Sequence, residues 1–161
     1  MLKALHDQLR ELSKTDEVKF AEAIKKRQGG KATDEQISKV KEFIFLMPPA
    51  LEILSDYWQD KSVPSGVKGI ARHIISYIFH PDDFLPEDEA GMFGYLDDAY
   101  LTVSAFLLIQ ESYLRDWQDK SKKELELLER ARQLVNIPRV LIPEEAQKIE
   151  ELLNSWVEED K

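Results

Sequence analysis

Residues 95–110 read YLDDAYLTVSAFLLIQ, and the last twelve of them carry no charge. At about 100° per residue, the apolar side chains of this run fall at almost every angle around a helix. A surface helix keeps one polar face, whereas a helix that is apolar all round is buried all round. The run therefore predicts a central helix from about residue 95 to about residue 117, with the other helices packed around it.

The sequence on either side of this run is patterned for helices rather than strands. Apolar residues recur at steps of three and four, as one face of a helix requires; examples are Leu2, Leu5, Leu9 and Leu12 near the start, and Ile149, Leu152, Leu153, Trp156 and Val157 near the end. We therefore predict an all-α fold, a bundle of about seven helices that forms a single domain over residues 1–161.

Short-range signals predict several helix boundaries. Thr33 followed three residues later by Gln36 is the pattern of a capping box. Thr15 is expected to cap the start of the second helix. Pro143 suits the first turn of the last helix, whereas Pro138 is expected to stop the helix that runs from about residue 121 to about residue 135.

Composition and charge restrict the class of partner. The chain has 161 residues, of which 43% are hydrophobic, and this suffices for one domain with a substantial core. The formal net charge of −9 repels phosphate backbones and anionic lipid, so we expect no nucleic-acid partner. The chain contains no cysteine, which excludes disulfides, thiolate metal sites and thiol catalysis.

The sequence also bears on location. The first twenty residues are charged throughout and contain no apolar signal segment. The longest uncharged run, residues 99–110, is well short of the roughly 20 residues that a transmembrane helix needs. We therefore expect a cytoplasmic protein without a transmembrane segment.

The segment before the central helix is unusually acidic. Residues 81–100 read PDDFLPEDEAGMFGYLDDAY and contain seven acidic residues and no basic one. Carboxylates so close together repel one another unless they are solvated, capped, protonated or bound to a cation. Large apolar residues are interleaved with them, which is unlike a plain solvated loop.

This segment resembles the YkvA-like family, also called the DUF1232 domain. The resemblance covers about residues 67–108 and rests on a proline-punctuated acidic loop followed by a Gly-Tyr-x-Asp-Asp motif, here Tyr77, Pro81, Asp83, Phe84, Leu85, Pro86, Glu87, Gly94, Tyr95, Leu96, Asp97, Asp98 and Ala99. Two departures concern the spacer: Glu89-Ala90-Gly91 stands where a second proline is expected, and the spacer is one residue longer. The resemblance implies a helical domain of unassigned biochemical activity, with some members associated with membranes.

Two interpretations of the acidic segment follow. In the first, Asp83, Asp97 and Asp98 bind a divalent cation such as Mg²⁺ or Ca²⁺, with Glu87 or His80 assisting, because hard cations take several carboxylate oxygens. In the second, the segment is a structural cap: Asp97 and Asp98 are stabilised by the positive end of the central helix, and Asp83 holds the turned backbone. The candidate site or cap comprises Asp83, Glu87, Gly94, Tyr95, Asp97 and Asp98, and the structural role is favoured.

Other residues that carry chemistry have simpler interpretations. His73 and His80 lie on one face of the helix at 67–80, away from its apolar stripe, and are expected at the surface. Tyr77 is expected to pack rather than react. Lys25, Lys26 and Arg27 form a basic cluster that is interpreted as a solvated helix end, and the three tryptophans, Trp58, Trp117 and Trp156, are expected to pack between helices.

The sequence carries no nucleophile–base pair and no cofactor motif. It therefore favours a non-enzymatic cytoplasmic module that acts by protein–protein contact, either with an unidentified partner or with a second copy. The alternative is a metal-dependent enzyme or sensor that uses the acidic carboxylates, with the metal activating water or holding a phosphate-bearing substrate.

Overall fold

The helices are defined by a computed structural model that describes residues 2–78, 91–116 and 120–159. In chain order they are α1 (Leu2–Thr15), α2 (Glu17–Arg27), α3 (Asp34–Ile44), α4 (Met47–Gln59), α5 (Ser65–Ile78), the 3₁₀ helix η1 (Gly91–Tyr95), α6 (Leu96–Ser112), α7 (Lys122–Leu134), α8 (Asn136–Leu141) and α9 (Pro143–Glu159). These residues contain no β-strand. The predicted all-α class is confirmed.

Helix α6 lies at the centre of the bundle. It contacts α3, α4, α5, α7, α8 and α9, and η1 leads directly into it. Every residue of α6 is buried except Ser104, Leu108, Glu111 and Ser112. The prediction that a helix apolar all round is buried all round is confirmed, because a different neighbouring helix covers each of its sides.

The central helix ends at Ser112, five residues before the predicted end. The backbone N–H groups of Tyr113 and Leu114 both donate to the carbonyl of Ile109, each at 3.0 Å, so the chain tightens and turns away from the helix axis. This turn returns Leu114 to the core, where it is buried. Tertiary burial of one leucine thus ends a helix that contains no glycine or proline.

Two of the predicted boundary signals are confirmed. The Gln36 backbone N–H donates to Thr33 Oγ1 at 3.1 Å, and the Thr33 N–H donates to Gln36 Oε1 at 2.9 Å, which completes the capping box. Pro143 is the first residue of α9. Its missing N–H has no intrahelical partner at that position, so it does not weaken the helix.

The prediction at Thr15 is wrong. Thr15 is the last residue of α1, where its hydroxyl donates to the Glu11 carbonyl at 3.0 Å, and Asp16 takes the N-cap position of α2. The helix predicted from about residue 121 to about residue 135 is confirmed as α7, but Pro138 lies in the first turn of a further helix, α8, where its missing N–H is tolerated. The chain is therefore helical on both sides of Val135.

One stretch of the described chain, Gly91–Ser112, is long and apolar enough to cross a membrane by length and composition alone. In its most apolar window of 18 residues, 83% of the residues are buried. A buried core helix passes the same test, so this stretch is weak evidence for a membrane span.

Candidate functional site

At the start of the central helix, η1 contacts the two N-terminal helices, α1 and α2. We call this contact region the junction. Gly91 adopts a positive φ of 57°, which allows the chain to turn into η1. The Met92 backbone N–H then donates to Asp16 Oδ2 at 3.0 Å. Asp16 makes no cap hydrogen bond in its own helix α2, because its carboxylate is used at this junction instead.

Aromatic and cationic side chains complete the junction. The rings of Phe20 and Phe93 lie 6.5 Å apart, and the guanidinium of Arg27 lies 5.8 Å from the centre of the Phe93 ring. Arg27 Nη1 is also 3.4 Å from Glu145 Oε1 in α9. Lys25, Lys26 and Arg27 are all exposed, as the interpretation of a solvated helix end predicts, and Arg27 in addition contacts Phe93 and Glu145.

The two aspartates of the motif occupy the predicted first turn of α6. Asp97 and Asp98 are only 1% and 2% exposed. The Asp98 backbone N–H donates to Asp97 Oδ1 at 2.8 Å, and the Thr102 hydroxyl donates to the Asp98 carbonyl at 2.8 Å. Negative charge at this end of a helix is stabilised by the helix dipole. The position is compatible with a cap, and that role stays a prediction.

The metal interpretation stays a prediction. Gly94, Tyr95, Asp97 and Asp98 lie together at the junction between η1 and α6, and Gly94 and Tyr95 are buried there. Asp83, Glu87 and His80 lie outside the described residues. Within residues 2–78, 91–116 and 120–159, no three histidine or carboxylate side chains are grouped as a metal site requires.

His73 is more enclosed than its position on the helix predicts. Its ring stacks on Trp156 of α9 with a centroid distance of 5.0 Å and an interplanar angle of 8°, and its Nε2 lies 3.3 Å from Glu159 Oε2. The helical periodicity of α5 predicts which of its faces is apolar. It does not predict that α9 packs against the side that carries His73. Tyr77 meets Trp156 edge-on at 6.2 Å, so its predicted packing role is confirmed.

A buried polar network that the sequence does not predict links α4, α6 and α7. The Tyr57 hydroxyl donates to Glu124 Oε2 at 2.7 Å, and Gln110 Nε2 donates to the Tyr57 hydroxyl oxygen. Burial, with the hydrogen bond and negative charge of Glu124, raises the pKa of Tyr57 far above its ordinary value. Gln110 is a large polar side chain at the end of the otherwise mostly apolar run 99–110. A polar side chain at a position expected to be buried needs a hydrogen-bond partner, and this could have indicated the network.

A second feature is an apolar groove on the surface between α3 and α8, with the end of α2 at its edge. Its volume is about 230 Å³, and it is lined by Gln28, Gln36, Lys39, Val40, Asn136, Ile137, Val140 and Leu141. Val140 is 70% exposed although it is fully aliphatic. Gln28 Oε1 is buried and has no hydrogen-bond partner among the described residues.

Comparison of the chain with protein-family models, curated proteins and solved structures gives no significant match. The resemblance to the YkvA-like family therefore stays a prediction from residues 67–108. The functional interpretation rests on the surfaces and cavities of the bundle itself.

Proposed function

We propose that this chain is a non-enzymatic cytoplasmic helical module that acts by binding another protein, and that the α3–α8 groove receives it. The observation that carries the proposal is the groove itself, with Val140 standing exposed at its edge. The groove is smaller than pockets for drug-sized ligands, which are about 300–1,000 Å³. A groove of this kind suits the aliphatic anchor side chains of a helix laid along it.

The charged side chains near the groove indicate what kind of partner helix it binds. Lys39 lines the groove, and the last turn of α2, with Lys25 and Lys26, leads directly into Gln28 at its edge. Lys39 is ion-paired with the exposed Glu35 at 3.3 Å, whereas the side chains of Lys25 and Lys26 are exposed. An exposed ion pair is weak, and the carboxylate of a partner can replace Glu35 in it. We therefore assign the groove to an amphipathic helix of another protein whose acidic flank faces these lysines.

A display selection tests this proposal without requiring that the partner be identified first. Random helical peptides are selected on wild type alone, and the enriched peptides are then assayed against the variants. We expect the enriched peptides to carry aliphatic residues at i, i+3 or i+4, and i+7, flanked by glutamate or aspartate. Val140→Asp should weaken their binding at least about tenfold, or about 1.4 kcal/mol, because it places a charge against an apolar anchor and repels the acidic flank.

Val18→Asp is the matched control, because Val18 is 73% exposed and does not line the groove. It should bind the selected peptides like wild type. Equal loss in both valine variants, or enrichment of basic peptides, would contradict the proposal. Light scattering provides the remaining outcome: a wild-type dimer that Val140→Asp dissociates would show that the groove holds a second copy instead.

The divalent-cation hypothesis stays a prediction that thermal unfolding can test. We expect wild type to melt at the same temperature in EDTA and in millimolar Mg²⁺, Ca²⁺ or Mn²⁺. Asp98→Asn should lose about 1 kcal/mol, because a charge is removed from the positive end of α6. A cation held by Asp83, Asp97 and Asp98 would instead stabilise wild type by about 2.7 kcal/mol at a hundred times its Kd.

Two further variants show which residues are responsible for any change in melting temperature. Asp83→Asn removes the predicted third ligand, and Asp7→Asn removes an exposed carboxylate of α1 as the matched control. Stabilisation of wild type and Asp7→Asn by a metal, lost in Asp83→Asn and Asp98→Asn, would favour the metal-binding function. Melting of Asp98→Asn at the wild-type temperature without any metal response would contradict both interpretations.

A further inference from the structure

A polar cavity lies beside the C-terminal end of α6. Its volume is about 340 Å³, and it is lined by Gln110, Glu111, Arg115, Lys120 and Arg132. Three of these side chains are cations and one is a carboxylate, so the lining is positive although the chain as a whole is strongly negative. Such a concentration of positive charge in a concave site attracts anions.

Gln110 gives the cavity a second, independent feature. Its side chain is 1% exposed, and its Oε1 has no hydrogen-bond partner among the residues that the structure describes. A buried oxygen without a partner loses the hydrogen bonds that water would provide. Gln110 lines the cavity, and its Oε1 is covered. A bound molecule with an O–H or N–H group would satisfy this acceptor once it displaces the exposed side chains of Glu111 and Arg132 at the cavity lining.

The buried network settles which atom of the Gln110 amide is the acceptor. The raised pKa of Tyr57 keeps its hydroxyl protonated, and that proton is donated to Glu124. The Tyr57 oxygen can then only accept, so the Gln110 atom next to it is the NH₂ group. Oε1 is the remaining atom of the amide and cannot exchange places with the nitrogen.

A purely structural role explains only part of this arrangement. Cations near the C-terminal end of a helix are stabilised by its dipole, and Arg132 Nε also lies 3.5 Å from Glu111 Oε1. Both of these side chains remain more than half exposed, so their pairing contributes little and is easily exchanged for a stronger anion. Neither effect accounts for a buried amide oxygen beside the cations.

We propose that this cavity binds a small hydroxylated phosphomonoester. Arginine presents paired N–H donors that match the oxygens of a phosphate, and the lining has a net charge of about two positive units to match a phosphomonoester dianion. A hydroxyl group on the carbon next to the phosphate ester donates to Gln110 Oε1. The anion and the hydroxyl group are both needed for full affinity.

Two-dimensional NMR of ¹⁵N-labelled protein tests the proposal with three probes: glycerol 3-phosphate, inorganic phosphate and glycerol. We expect glycerol 3-phosphate to shift the backbone signals of residues 110–116 and 132 and the side-chain NH₂ signals of Gln110. Inorganic phosphate should bind at the same signals about five- to tenfold more weakly, and glycerol should cause no shift. Binding should weaken as sodium chloride is added.

Variants separate ligand binding from folding. Arg115→Gln and Arg132→Gln change exposed side chains and should each lower the affinity for glycerol 3-phosphate about tenfold, whereas Arg10→Gln on α1 should leave it unchanged. Gln110→Met should reduce the affinity for glycerol 3-phosphate to that for inorganic phosphate. Should Gln110→Met fail to fold, the ratio of the two wild-type affinities still reports the hydroxyl contact.

Three results would overturn the proposal or part of it. Absence of shifts at residues 110–116 with glycerol 3-phosphate would overturn the site. Equal affinity of wild type for glycerol 3-phosphate and inorganic phosphate would overturn the assignment of a hydroxylated ligand. If Arg10→Gln and Arg132→Gln lowered the affinity for glycerol 3-phosphate equally, the net charge of the chain would explain the loss. That result would also overturn the site.

Discussion

Gly91→Ala is expected to lower the free energy of unfolding by about 2.5–5 kcal/mol. Gly91 has φ of 57°, and an alanine in this left-handed conformation costs about 1–2 kcal/mol. Its Cβ would also clash with Asp16 Oδ2 and would lie 2.9 Å from Asp16 Cγ. Relief of that contact displaces the carboxylate from the Met92 N–H, and the loss of a hydrogen bond to a charged group adds about 1.5–3 kcal/mol.

Urea denaturation of two further variants tests this explanation. Gly30→Ala is the matched control, because Gly30 also has a positive φ but no atom lies within 4 Å of the position that its new Cβ would take. It should show the backbone effect alone. In the background of Asp16→Ala, Gly91→Ala should cost markedly less than in wild type, since the clash is gone. Additive effects of the two substitutions would mean that the contact with Asp16 is not the cause.

Tyr57→Phe is the second substitution with a large expected effect, a loss of about 1–3 kcal/mol. It removes the hydroxyl that joins Gln110 to Glu124, and it leaves the NH₂ group of a buried amide without its acceptor. Glu124 would keep its capping-box bond to Ser121 but lose its link to α4. Tyr113→Phe removes a tyrosine hydroxyl elsewhere and should stay within about 0.5 kcal/mol of wild type.

The pH dependence of this effect follows from the raised pKa of Tyr57. The folded state keeps the phenol proton at a pH where the unfolded chain has released it, so unfolding is favoured as the pH rises. The contribution of Tyr57 to the free energy of unfolding is fully present below pH 10. Above pH 10 it is lost by at most about 1.4 kcal/mol per pH unit. The difference between wild type and Tyr57→Phe should therefore shrink above pH 10.

Unfolding by urea at pH 8, 9, 10 and 10.5 measures this trend. Burial and the hydrogen bond to Glu150 raise the pKa of Tyr100 as well, so Tyr57→Phe should retain some alkaline destabilisation of its own. Parallel stability curves for wild type and Tyr57→Phe across this range would show that Tyr57 ionises at the same pH in both states. That result would contradict the raised pKa of Tyr57 as the cause of the pH dependence.

The central helix and its first turn could be predicted because their signals are local. An apolar run without a polar face has one stable place in a small domain, and Asp97 and Asp98 stand directly before it. The capping box at Thr33 is equally local, since both partners lie within one turn. Each of these predictions needed only residues that are neighbours in sequence.

The remaining features depend on contacts between distant segments. Asp16 has the sequence context of a helix cap, but its hydrogen bond goes to Met92, 76 residues later. The early end of α6 depends on the burial of Leu114, and the enclosure of His73 depends on Trp156. Helical periodicity gives the apolar direction of each helix, but it does not say which helix will cover it.

The same holds for the proposed sites. Val140 belongs to a helix that the sequence does not predict, because Pro138 has the pattern of a helix stop. Gln110 is recognisable as part of an uncharged run, but its partners Tyr57 and Glu124 come from two other helices. Both sites form only where these helices meet.

The bond between Asp16 and Met92 also has a consequence for synthesis on the ribosome. Helices α1 and α2 emerge before η1 and α6, with Leu5, Leu9, Phe20 and Ile24 facing a core that is not yet complete. The residues of η1, which both helices contact, are translated some 70 residues later, and α6 follows them. The apolar faces of α1 and α2 therefore stay partly uncovered until η1 and α6 have left the exit tunnel, although α4 can contact α1 earlier. During this interval a chaperone, or a partner that prefers the nascent chain, has its best access to them.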